Sequence, residues 1–150
     1  MSEQTLANIL GPSRFSKDGF LGTDSRAPEE IIAEDKETLV RLAIDKKQIA
    51  EALRGAYVAA ERALGNPVEI AEGVTAVHHD SRGRTPSPFA EEGTFQKGEA
   101  VITVKSSGTS FIVTPLSINL IEKHGFFQGA GSPYRIEPDL AARVLGIASK

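Results

Sequence analysis

The chain has 150 residues, enough for one domain around a single core. Hydrophobic residues make up 40% and charged residues 25%, as in folded globular proteins, and a formal net charge of -3 argues against general nucleic-acid binding, which needs a basic face. With no cysteine there is no disulfide framework, no thiolate metal site and no cysteine nucleophile.

The first ten residues, MSEQTLANIL, lack the basic start and long apolar run of a signal peptide, and no window has the apolar length to span a bilayer. The expectation is a cytoplasmic protein with no membrane partner. Residues 1–24 are rich in Gly, Ser, Asp and Asn, the composition of a mobile arm. Phe15, Phe20 and Leu21 are spaced apolar anchors within it. They predict docking of residues 14–22, on the chain's own domain or on a second subunit. Residues 25–150 then form a single domain.

Pro28 opens a helix, since its missing N–H has no partner in a first turn anyway. Glu29 and Glu30 suit the positive end of the helix dipole, and Ile31, Ile32, Leu39 and Leu42 recur at helical spacing. Asp45-Lys-Lys-Gln48 has the spacing of a capping box. It precedes one apolar face made of Ile49, Leu53, Ala56, Tyr57, Ala60 and Leu64. Gly65 supplies the stop. The result is a helical hairpin. The stretch LAIDKKQIAEALRG has the look of a helix-turn-helix entry, but Glu51 and Glu61 among the basic residues favour packing over a recognition helix.

From Pro67 the period becomes two, which predicts one strand bent at Gly73 or two short ones. Residues 80–98, with two prolines and three glycines, are expected to be a long irregular loop. Residues 100–104 and 109–113 flank Ser106-Ser107-Gly108 and predict a β-hairpin. Thr114-Pro115 caps and starts a helix that Gly125 ends, and Pro138 starts a last short one. Helices at both ends with the strands grouped between them predict an α+β fold: an N-terminal helical hairpin, a small antiparallel sheet and two short C-terminal helices.

Two loops carry the chemistry. In residues 81–97, Arg82 and Arg84 flank a glycine, and their guanidinium groups offer paired donors to a phosphate or carboxylate. Lys97 can converge on them from the loop's far end. In residues 124–135, HGFFQGAGSPYR, the glycines allow successive backbone N–H groups to line an anion-binding concavity that Ser132 and Arg135 would complete. It is neither a P-loop nor a Rossmann turn, for it lacks the Lys-Ser pair and follows a helix. His124 suits the negative end of its helix. One of Phe126 and Phe127 is expected in the core, and the other as a pocket wall or subunit contact. Phe127 is placed with the binding residues.

His78, Asp80 and His124 form a weaker metal set. Strand alternation puts His78 and Asp80 on one face and His79 on the other, but the spacing matches no specific metal motif. No Gly-x-Ser-x-Gly elbow marks a nucleophilic serine. The leading functional expectation is therefore a non-enzymatic domain, without a cofactor, that binds an anionic small molecule or a protein partner through the two loops. The alternatives are a metal-dependent enzyme using His78, Asp80 and His124, and a homo-oligomeric interaction protein assembled through the N-terminal arm.

FSKDGFLG at 15–22, the Arg82-Gly83 turn, the loop from Pro86 to Lys97 and LSINLIEKHGFFQGAGSPYRIEP at 116–138 together resemble a family of small bacterial cytosolic proteins without an established activity. The resemblance covers most of the chain and is most specific in its second half. It implies no catalytic roles. Where that family's pattern has a histidine this chain carries Asn119, which further weakens a metal role.

Overall fold

The computed structural model describes residues 20–147, an α+β arrangement of four helices and two antiparallel sheets within that span. Helix α1, Pro28–Arg41, has Pro28 at its first position and turns Ile31, Asp35 and Leu39 inward. Helix α2, Lys46–Arg62, starts with a complete capping box: Gln48 N–H donates to Asp45 Oδ1 and Asp45 N–H to Gln48 Oε1, both at 2.9 Å. Its inner face is Ile49, Ala50, Leu53, Ala56, Tyr57 and Ala60. Leu64 does not extend that face. The helix ends at Arg62, Leu64 has already turned left-handed with φ +53, and its side chain is 87% exposed.

The period-two segment folds as two strands, β1 (Val68–Ala71) and β2 (Val74–His79), turning at Gly73. They join β5 (Glu99–Val104) and β6 (Ser110–Val113) in an antiparallel sheet of order β1-β2-β5-β6. One face is the core layer, with Val74, Ala76 and His78 of β2, Ala100 and Ile102 of β5, and Phe111 and Val113 of β6. Helix α2 packs on it. Ala76 and Ala100, both fully buried, leave room for the helix to come close.

The intervening stretch 80–98 is not an irregular loop. It forms a second, two-stranded sheet, β3 (Arg84–Pro86) and β4 (Thr94–Gln96), with Arg84 opposite Gln96 and Pro86 opposite Thr94. A 3-10 turn, Ala90–Glu92, lies between the strands. The prolines that signalled a loop are compatible with this sheet because both of its strands are edges, where a missing N–H disrupts no ladder on the outer side.

Helix α3, Pro115–His124, is capped by Thr114, which accepts from Ser117 N–H at 3.0 Å, while Thr114 N–H donates to Ser117 Oγ at 2.9 Å. Gly125, at φ +64, ends it, with Gly125 N–H donating to Ile121 O and Phe126 N–H to Leu120 O. Helix α4, Pro138–Val144, follows. The turn at Gly125 sends the two adjacent phenylalanines into different apolar clusters. Phe127 enters the main core with Leu53, Ile102, Val113 and Ile136, while Phe126 joins Ile31, Leu116 and Leu120. Both are 1% exposed, so neither is a pocket wall or a subunit contact.

Phe20 and Leu21 pack against the smaller cluster. Gly129 N–H donates to Phe20 O at 2.8 Å and Thr23 N–H to Ala130 O at 3.0 Å, so residues 20–24 run alongside 129–132. Residues 14–19 of the expected docking segment, Phe15 among them, lie outside the described residues.

Candidate functional site

The last two turns of α2 bring Tyr57 and Glu61 beside the end of β2 and the base of the β3–β4 hairpin. Between them is a cleft of about 310 Å³ lined by Tyr57, Glu61, Asp80, Ser81, Gly83, Arg84, Gln96 and Gly98. Its floor is built from inside the fold. The Tyr57 hydroxyl lies on the inner face of α2 and so needs a buried partner, which it finds in His78 Nε2 at 2.9 Å. The two rings meet edge-on, 5.0 Å apart at 83°. Gly98 crosses directly over this pair: a Cβ there would stand 2.4 Å from the Tyr57 oxygen and 2.8 Å from His78 Nε2. Burial, together with the negative charges of Glu61 and Asp80, pushes the Tyr57 hydroxyl up to about 12, so it stays a neutral phenol. His78 Nδ1 lies 3.6 Å from the exposed Asp80 carboxylate.

Arg84 forms the basic wall. Its Nε donates to Thr94 Oγ1 and its Nη2 to the Thr94 carbonyl, each at 2.8 Å, across the β3–β4 ladder. Ion pairs among the described residues engage Arg26, Arg54, Arg135 and Arg143, but not Arg84. Its guanidinium is therefore positioned without being neutralised. The other two cations of this loop do not join it: Arg82 and Lys97 are exposed and lie outside the lining. The expected convergence fails because the hairpin fixes the direction of each side chain. Arg84 and Gln96 are cross-strand partners, and Lys97, one residue on, falls on the alternate side of the ladder.

The loop 124–135 is spent on the fold. Arg135 forms a bidentate pair with buried Asp35, Nη1 to Oδ2 and Nη2 to Oδ1, both 2.9 Å, and also donates from Nη1 to the Gln128 carbonyl at 2.6 Å. Its Nε reaches Glu137 at 2.8 Å. Burial works against the Arg135 charge, yet the bonds from Asp35 and Glu137 outweigh it and raise the pKa further. Ser132 Oγ donates to Gln128 Oε1 at 2.8 Å. The glycines do not form an anion concavity; a Cβ on Gly129 would stand 2.2 Å from Leu21 O, and one on Gly131 2.2 Å from Thr23 Oγ1. Their backbone faces residues 21–23, which is why no side chain is tolerated there. Ser132, Arg135 and Phe127 thus do not form a binding loop.

His124 is also engaged, but with Glu92 rather than with its own helix end. Nε2 lies 2.7 Å from Glu92 Oε2, and the Phe89 ring stacks on the imidazole at 3.8 Å and 18°. Asn119 Nδ2 and Ser87 Oγ donate to Glu92 Oε1 at 2.8 and 3.0 Å. Burial pushes the Glu92 carboxyl up, but the bonds from His124, Asn119 and Ser87 outweigh it and hold it below its usual value. This cluster fastens the tip of the β3–β4 hairpin to α3. His124 is therefore far in role from His78 and Asp80 at the cleft, and no three His, Asp or Glu side chains among the described residues group closely enough to hold a metal ion. No helix among the described residues is long and apolar enough to cross a membrane.

Sequence reading missed Tyr57, Glu61 and Gln96. Tyr57 and Glu61 are four residues apart on one helix, and the tyrosine reads as core until the strand that packs on it is known. Comparison of the chain with protein families, with curated proteins and with solved structures returns no match.

Proposed function

We propose that this chain is a small-molecule-binding domain whose site is the cleft between α2 and the base of the β3–β4 hairpin. Arg84 takes a carboxylate or phosphate group of the ligand. The observation that carries the reading is the state of that guanidinium: held by two bonds to Thr94, facing a 310 Å³ cleft, and without an acidic partner among the described residues. A guanidinium held in this way loses less side-chain freedom on binding, and its Nη1 edge remains for an anion. The volume is at the small end of ligand sites and fits a metabolite-sized molecule. The exposed cations Arg82 and Lys97 beside the cleft steer anions towards it without contacting them there.

The test is calorimetric titration of the protein with butyrate and with inorganic phosphate, repeated on Arg84→Ala. Loss of a charge-assisted contact worth about 1.5–3 kcal/mol should weaken binding by about tenfold or more. Arg84 is exposed, so the variant is expected to fold as the parent does. Equal binding by parent and variant would remove Arg84 from the site and end the proposal.

A further inference from the structure

The cleft that holds Arg84 also holds two carboxylates, Glu61 and Asp80. A ligand carrying only negative charge would meet both. Opposite charges sharing so small a space usually pair with each other, yet no ion pair joins Arg84 to either acid, and among the described residues the charge partner of Asp80 is His78 at 3.6 Å. Glu61 belongs to α2 and Asp80 directly follows β2, whereas Arg84 is tied back to Thr94 on the hairpin. Three parts of the fold thus hold charges of both signs around one void, which the neutral Tyr57 hydroxyl also lines. Tyr57 lines the same void as the two carboxylates, and its hydroxyl is held from within the fold by His78 at 2.9 Å.

We infer that the cleft recognises a zwitterion, an amino-acid-like molecule whose carboxylate meets Arg84 and whose ammonium group meets Glu61 and Asp80. This deepens the reading of the cleft as a ligand site and rests on it. An ammonium supplies three donors and suits a site of carboxylates flanked by neutral oxygens, here Ser81, Gln96 and Tyr57. The net charge of the lining side chains is negative, two acids to one base, so the cationic half of the ligand is as important as the anionic half.

The experiment is calorimetric titration of the full chain with glycine, γ-aminobutyrate and ε-aminocaproate, each compared with the acid of equal length lacking the amine and with the corresponding alkylamine. At least one amino acid should bind about tenfold more tightly than its acid, the worth of one charge-assisted contact. Glu61→Gln combined with Asp80→Asn should erase that advantage, with the plain acid bound at least as tightly as by the parent because two repelling charges are gone, and Arg84→Ala should weaken both. Equal binding of amino acid and acid, or an advantage that survives the double substitution, overturns the zwitterion and leaves the anion site standing. An alkylamine that binds as well as the amino acid overturns it in favour of a cation site. Absence of binding by every probe overturns both readings.

Discussion

Arg135 in the loop 124–135 offers the sharpest test of what that loop is for. Replacing it by alanine removes five hydrogen bonds: two to Asp35, two to Glu137 and one to the Gln128 carbonyl. They do not count equally. The Glu137 side chain is 57% exposed, so its pair with Arg135 is screened and contributes little. Asp35 and Arg135 are 6% and 10% exposed, and the carboxylate left behind would be a buried charge without a partner. Breaking a buried pair in that way costs roughly 3–5 kcal/mol, a large share of the ~5–15 kcal/mol stability of a typical domain. In urea, with a slope near 2 kcal/mol/M, the midpoint should fall by about 2 M at unchanged slope. The thermal midpoint should fall by about 10 °C. Replacing Asp35 and Arg135 together by leucine should recover much of the loss, because no charge is then stranded. A single variant within about 1 kcal/mol of the parent would show that water reaches the pair and that Arg135 is available for a ligand after all.

Glu92 should leave a signature in acid. Its pKa is depressed below the usual 4.5, so its contribution to stability is present above 4.5 and is lost as pH falls through the depressed value. The stability gap between parent and Glu92→Gln, measured by urea unfolding, should be on the order of 1–2 kcal/mol at pH 6 and close at lower pH; a gap independent of pH would mean the bonds from His124 and Asn119 do not favour the charged form. Gly98→Ala should destabilise by about 1–3 kcal/mol, since its Cβ would press on the Tyr57–His78 pair at 2.4 and 2.8 Å. Normal stability in that variant would place the backbone of Gly98 farther from the cleft floor.

Helix ends were the most legible part of the sequence, because a cap is a local event. Asp45 with Gln48, Thr114 with Pro115, and Gly125 each act on backbone groups within a few residues, and all three act as their types predict. Leu64 was misread for the converse reason: its spacing continues an apolar face, but the chain leaves the helix two residues earlier. The site was less legible. Arg84 stood out beside a glycine in its loop, and Asp80 as a carboxylate next to His78 and His79. Which of the neighbouring cations shared a face depended on a hairpin that the prolines concealed. Asp35, an acid on the buried face of α1, gave no sign of its partner 100 residues away.

The sequence by itself determined what neighbours along the chain can settle: four helices, the N-terminal caps of two of them, the strand periodicity, and the α+β order of elements. Tertiary structure decided which polar groups are free. Arg84 and Arg135 are the same residue type in similarly glycine-rich surroundings, yet one is buried against Asp35 and the other faces an open cleft. A side chain's chemistry is set by its desolvation and its partners, and those come from elements distant in sequence.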